Sequence, residues 1–323
     1  MYGYDVFHEE LMKNLIESVH IGVSSHAYIF EGKSGLGKMQ CARLFAAALT
    51  CTDSTIAPCG ACHNCIEAKA DTNPDIVYVR PKKDKKSIGA DDMRELEEDV
   101  IIKPFNAKRK VYIIEDGLLL TEAAQNVFLK TFEEPPEYAV FIILIDDAEN
   151  LLQTIRSRFT LIHFPNVSDS QVESYIRNKY PDEERVDFLV KYCAGIPGTA
   201  DIVINDEEFD ALRNGALEKL FLMFSSDKRS AFVIEKYFEE NKENAVKILE
   251  FWLSFLRDVL LMQTGASTEI INIDKREHLR KIASKINPEM IVKLSEKVVT
   301  SEKMIARYVN TKAMAMWLAL KSS

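Results

Sequence analysis

Residues 27–39, AYIFEGKSGLGKM, constrain this chain more than any other stretch. Ala27 to Phe30 is apolar and partly aromatic, the composition of a buried strand, and it is halted by a glycine-rich turn. Gly32, four intervening residues and then Gly37-Lys38 have P-loop spacing, and residues 40–50 behind them read as a helix. The chemistry requires that order. Glycines such as Gly32, Gly35 and Gly37 let backbone N–H groups turn inward around a phosphate, Lys38 adds a point charge, and the helix N-terminus adds a favourable dipole. One component is missing. The residue after the lysine, normally Ser or Thr to ligate Mg²⁺, is Met39, whose thioether is a poor ligand for a hard cation. The loop is suited to holding phosphate and impaired for metal-assisted hydrolysis.

Lys110 to Ile114 reads as a second buried strand that delivers Glu115 and Asp116 at its tip, and Val140 to Ile145 as a third. Carboxylates at the end of an apolar strand are the Walker B arrangement, one acid for Mg²⁺ and one for water, but the usual Asp-Glu order is reversed here. A helix over residues 121–134 separates these two strands and is stopped by Pro135-Pro136. A further strand is expected at 75–79 and another at 161–164, with helices at 5–19 and from Asp91 or Asp92 to Val100. Strands alternating with helices predict an α/β fold with a parallel sheet. Ser168 with Gln171 makes a capping box that opens a new helix, and Gly195-Ile196-Pro197-Gly198 interrupts the helical pattern. From Asp206 onward no strand pattern remains, and five or six helices follow, one of them opening at Asn287-Pro288. The Met304–Trp317 apolar stripe reads as bundle core. With 323 residues the chain exceeds one ordinary core, and the expected division is 1–166, 167–205 and 206–323.

Cys51, Cys59, Cys62 and Cys65 have the spacing C-x7-C-x2-C-x2-C, which reads as a four-thiolate zinc site inserted over residues 51–70. A disulfide pair and an iron–sulfur cluster are the competing readings, and no redox machinery accompanies the cysteines. With four protein ligands no position is left for substrate, so the site is structural. A net charge of −9 argues against a generally basic nucleic-acid binder, although Lys82, Lys83, Lys85 and Lys86 form a local basic run suited to phosphate contacts. The acidic N-terminus has no signal-peptide core and no apolar run approaches a membrane span, so a cytoplasmic protein without a membrane partner is expected.

SHAYIFEGKSGLGK, the four-cysteine module, KVYIIEDGLLLTEAAQNVFLKTFEEPPEYAVFIIL and TIRSRF together resemble the AAA+ clamp-loader family of bacterial DNA polymerase III, over most of residues 25–164. The resemblance implies a RecA-like AAA+ domain with the zinc module inserted, a small helical lid, and an all-α collar that joins a hetero-pentameric ring with gamma/tau-type and delta-type subunits. It also implies a sliding clamp and primed DNA as partners. Ser157-Arg158-Phe159 corresponds to the family's Ser-Arg-Cys motif, whose arginine acts as a finger on ATP held by the neighbouring subunit, a role that suits a planar fixed cation. From the residues alone, Arg158 reads first as a helix-end salt bridge, and Arg156 competes for any role. Four departures separate the chain from the ATP-hydrolysing members: Met39, the reversed Glu115-Asp116, a glycine at 195–198 in place of a phosphate-sensing arginine, and Asp146-Asp147 at the sensor after the third strand. The resemblance therefore implies a non-catalytic ring subunit in which Gly32, Gly35, Gly37, Lys38, Glu115 and Asp116 form a degenerate nucleotide site. ATP or ADP held statically and no nucleotide at all both stay open. The alternative is a gamma/tau-like ATP-hydrolysing motor of the same complex.

Overall fold

The computed structural model describes residues 4, 6–224, 229–266 and 269–319. Chain contacts separate two compact units, residues 1–172 with 195–199 and residues 173–194 with 200–323.

The first unit carries α1 (Glu9–His20), β1 (Ala27–Glu31), α2 (Lys38–Thr50), α3 (His63–Lys69), β2 (Ile76–Val79), α4 (Ala90–Val100), β3 (Lys110–Ile114), α5 (Glu122–Glu133), β4 (Ala139–Ile145), α6 (Gln153–Arg156) and β5 (Thr160–His163). The five strands form one sheet in the order β2-β3-β4-β1-β5. Every pairing is parallel, with Ile29 opposite Ile143 and Ile113 opposite Ile142. The expected α/β class follows from how the strands are written. Along β1, β3 and β4 both faces are apolar, because in a parallel sheet helices cover both. Tyr28, Phe30, Val111, Ile113, Val140, Ile142 and Leu144 point into a core shared with α1, α2 and α3. Their alternates Ile29, Tyr112, Ile114, Phe141, Ile143 and Ile145 point into a second core with α4, α5 and α6. Residues at the C-terminal ends of β1, β3 and β4 accordingly emerge at one rim of the sheet, where α/β folds place their ligands.

Boundaries differ from the sequence reading where a residue has another task. The first helix was expected from Asp5, which lies outside the described residues, and it begins at Glu9 because His8 has non-helical φ and ψ of −106° and 57°. The fourth begins at Ala90, with the Asp92 carboxylate accepting the Gly89 N–H at 2.9 Å. Of the expected stretch 161–164, Thr160–His163 is strand.

The second unit begins within α7 (Asp169–Lys179) and continues through α8 (Val186–Cys193), most of α9 (Pro197–Asn205), α10 (Phe209–Met223), α11 (Ser230–Glu240), α12 (Ala245–Thr264), α13 (Arg276–Ala283), α14 (Pro288–Ala306) and α15 (Thr311–Ala319). No strand occurs among its described residues, as expected beyond Asp206. The Asn287 side chain caps α14 over Glu289 N, with Pro288 in the first turn. The 304–317 stripe is divided between α14 and α15 by a turn at 307–310, and its buried members are Met314 and Ala315. Arg213 is buried in this unit. Its guanidinium lies 4.0 Å over the Phe188 ring and grips Asp274 by two bonds of 2.8 Å, so the charge is stacked as well as paired.

Candidate functional site

β1 ends at Glu31, and the P-loop turns from there into α2. Gly32 N–H donates to Ile145 O at 3.1 Å, fixing the loop to the tip of β4. Gly37 caps α2 with φ of 80°, a left-handed conformation that glycine adopts without strain. The Lys38 side chain does not project into solvent. It is 8% exposed, and its Nζ donates to Gly32 O and to Asp146 Oδ1, the latter at 2.9 Å. Asp146, one of the two acids at the sensor position, thus engages the lysine that would bind a phosphate. Any phosphate entering the loop meets a carboxylate already bound to that lysine.

The loop is also covered. Gly198 N–H donates to Gly35 O at 2.9 Å, and the two backbones are so close that a Cβ on Gly198 would lie 2.5 Å from Gly35 Cα. A Cβ on Gly35 would lie 2.9 Å from Ile196 Cγ2. The 195–198 break therefore packs glycine against glycine on the P-loop. The spacing of the glycines signalled a break in the helical pattern, but nothing in it pointed to this destination.

The two acids after β3 are brought to the same rim as the P-loop and are both engaged. Glu115 pairs with Arg80, whose guanidinium lies 5.4 Å over the Tyr78 ring. Asp116 Oδ1 accepts the Leu118 N–H at 2.9 Å and caps a single 3₁₀ turn. Asp147 does the same for Glu149 N at 2.8 Å. Arg80 was not identifiable from the sequence, where it is one arginine following a short strand.

Arg158 lies elsewhere on this unit, just after α6. Ile155 and Phe159 are buried on either side of it, Phe159 edge-on to Phe132 with centroids 4.5 Å apart. Phenylalanine at 159 is thus an anchor for the turn. Ser157 and Arg158 remain exposed between the anchors, and Arg158 Nη1 donates to Thr154 O at 2.9 Å.

The four cysteines converge as their spacing predicts. Their sulfurs all lie within 4.8 Å of one another, and two pairs, Cys51–Cys62 and Cys59–Cys65, are 3.9 Å apart. Four sulfurs at ~2.3 Å from one tetrahedral ion would be about 3.8 Å apart, so the set fits zinc. The Cys62 and Cys65 amides donate to Cys59 Sγ and Cys62 Sγ at 3.3 and 3.4 Å, bonds that favour thiolates. Burial pushes the Cys62 thiol up, but hydrogen bonds from Thr52 and Cys65 outweigh it and bring it down to about 6.

Two surface features complete the inventory. In the basic run, Lys82 pairs with Glu95 at 2.6 Å and Lys85 with Asp92 at 3.3 Å, whereas Lys83 and Lys86 are exposed. After α4, Ile101, Ile102 and Phe105 are 76%, 54% and 76% exposed. They stand on a pinned backbone. The fully buried Asp75 carboxylate accepts Phe105, Asn106 and Ala107 N–H at 2.6, 2.9 and 2.9 Å, and Tyr138 Oη donates to Val100 O and Ile101 O. Three large apolar groups are thus displayed within five residues on a held backbone. No described helix is long and apolar enough to cross a membrane.

Residues 7–168 match the family described as "DNA polymerase III, delta subunit", and residues 207–317 match "DNA polymerase III, delta subunit, C terminal". The chain is similar to DNA polymerase III subunit delta' of Bacillus subtilis, 26% identical over 96% of this chain and 94% of that protein. It is also similar to subunit tau/gamma of Haemophilus influenzae, 36% identical, but over 47% of this chain and 22% of that protein. Among solved structures, a gamma subunit-related protein of Thermotoga maritima is 17% identical over 96% of each chain, with a TM-score of 0.43.

Proposed function

Because this chain belongs to the delta-subunit family of DNA polymerase III and is a delta-prime-type subunit of its clamp loader, working in DNA replication, we propose that it acts without turning over ATP itself and completes the ATPase site of a neighbouring subunit with Arg158. The observation that carries this reading is the self-engaged P-loop. Lys38 is bound to Asp146 and Gly32 O, and Gly198 is packed on Gly35. Met39 stands in place of the metal-binding hydroxyl, Glu115 is paired with Arg80, and Asp116 caps the turn after β3, so the groups that would hold Mg²⁺ and orient water are replaced or engaged. Arg158, by contrast, is exposed at a turn held by two buried anchors, where a cation can be presented to another chain's phosphate.

The remaining assignments follow within that reading. The three-part organisation at 1–166, 167–205 and 206–323 gives an AAA+ domain, a lid and a collar that joins a pentameric ring with gamma/tau-type and delta-type subunits. Structural zinc occupies Cys51, Cys59, Cys62 and Cys65. Ile101, Ile102 and Phe105, with exposed Lys103 and Lys108 as a basic rim, are the surface assigned to the sliding clamp. Lys83 and Lys86 supply phosphate contacts to primed DNA, since Lys82 and Lys85 already hold acidic partners.

The test is DNA- and clamp-stimulated ATP hydrolysis by a reconstituted loader. Arg158→Ala is expected to lower the rate by about 10³-fold, as loss of an arginine finger does, while the isolated chain shows no hydrolysis. Hydrolysis by the isolated chain revives the motor reading. An unchanged rate in the substituted complex assigns Arg158 to its local bond with Thr154.

A further inference from the structure

Residues before α1 link two parts of the first unit that the proposed function treats separately. Phe7 lies on the P-loop: a Cβ on Gly37 would stand 3.0 Å from Phe7 Cδ2. The Phe7 carbonyl accepts a bond from Gln171 Nε2 at 2.9 Å, and His8 packs edge-on against Phe164 with centroids 5.0 Å apart. Tyr4 and Val6 pack on the same apolar cluster as Cys59 and Cys62. Tyr4 also shares with Pro58, Gly60, Cys65 and Ile66 the wall of a cavity of about 340 Å³. Cys65 and Ile66 stand on α3, but Pro58 and Gly60 lie between the end of α2 at Thr50 and the start of α3 at His63, where there is neither helix nor strand and the converging sulfurs tie the loop to α3. Metal binding in such a module is itself folding free energy.

We propose that Tyr4, Val6, Phe7 and His8 form a strap whose closure over the P-loop is held by the metal-filled cysteine module. Metal fixes the 58–66 wall, the wall seats Tyr4, and Tyr4 keeps Phe7 on Gly37. This deepens the non-catalytic reading, on which it rests, by giving the closed loop a control in the same unit. Linkage makes the effect reciprocal. If metal favours the closed strap, the closed strap retains metal by the same factor.

Hydrogen exchange on the full chain tests this, read in peptides 6–12 and 32–40 with 245–264 as the reference. Stripping zinc with a chelator is expected to raise exchange about tenfold in both peptides and to leave the reference unchanged. Tyr4→Ala, measured with zinc bound, is expected to do the same and to speed zinc transfer to a chromophoric chelator by a similar factor. If stripping unfolds the whole unit, the Tyr4→Ala comparison decides. Wild-type exchange at 32–40 in zinc-bound Tyr4→Ala overturns the proposal, as does a stripping effect confined to 51–70. ATP hydrolysis by the zinc-loaded wild-type chain would instead count against the non-catalytic reading, leaving the exchange comparison to stand by itself.

Discussion

Asp75 is the residue on which the 101–107 surface depends. Its carboxylate is fully buried and accepts three backbone N–H bonds, Phe105 at 2.6 Å on Oδ1, and Asn106 and Ala107 at 2.9 Å on Oδ2. Bonds to a charged acceptor contribute about 1.5–3 kcal/mol each when fully buried. Because residues 105 and 106 are exposed, water can replace part of the loss, and about 1 kcal/mol per bond is the reasonable scale. Asp75→Ala removes all three acceptors, so local opening becomes easier by roughly 3 kcal/mol, or about two decades in exchange rate. Asp75→Asn is isosteric but offers one oxygen and one NH₂. Turned to keep its oxygen on Asn106 and Ala107, it faces the Phe105 N–H with a donor and loses about a third of the effect plus that repulsion. A chain of two compact units need not unfold in one step, so the measurement is local: amide exchange at 105–107. The expected order is wild type slowest, Asn intermediate, Ala fastest, and under the proposed clamp contact clamp affinity falls in the same order. Exchange in Asp75→Ala within threefold of wild type would refute the claim that this carboxylate holds the loop.

Other outcomes are equally open to measurement. The purified chain should carry one zinc per molecule, Cys59→Ser should lower its affinity by orders of magnitude, and visible absorption from an iron–sulfur cluster would contradict the assignment. Tyr308 is 98% exposed at φ of 59° just after α14, where Val309 N–H returns to Met304 O at 3.0 Å; Tyr308→Gly should stabilise the second unit by about 1 kcal/mol through relief of left-handed strain. A lower melting temperature would refute the strain argument. Asp201 accepts bonds from Tyr175 at 2.7 Å, Lys179 at 2.9 Å and Tyr180 at 2.9 Å; burial pushes its carboxyl up, but these bonds outweigh it and hold it below the usual range. The folded pKa is therefore depressed, so the contribution is complete above the unfolded value of ~3.9 and disappears as pH falls through the folded one. Asp201→Asn should flatten the acid limb of the stability profile, and an unchanged limb would place the pH dependence elsewhere.

The sequence by itself determined what depends on local pattern and fixed spacing. Apolar runs on both faces of β1, β3 and β4 can be satisfied only between two helical layers, which made the parallel sheet readable before its register was known. The C-x7-C-x2-C-x2-C spacing fixed the convergence of four sulfurs, because a pair of thiolates two residues apart can reach one ion. Met39 and the reversed Glu115-Asp116 marked the P-loop as impaired, since a missing hydroxyl or an exchanged acid is a property of the residue itself. What only the tertiary structure decided are the partners those residues take. Asp146 holds Lys38, Arg80 holds Glu115, Gly198 meets Gly35, and Asp75 binds a loop thirty residues away, its nearest bond being to Phe105. Each joins segments far apart in the chain, and side-chain type carries no record of which distant group will be brought within 3 Å. The exposure of Ile101 and Phe105 belongs to the same class. α4 ends in the core at Val100, and only the loop that follows it, bound to Asp75, leaves them at the surface.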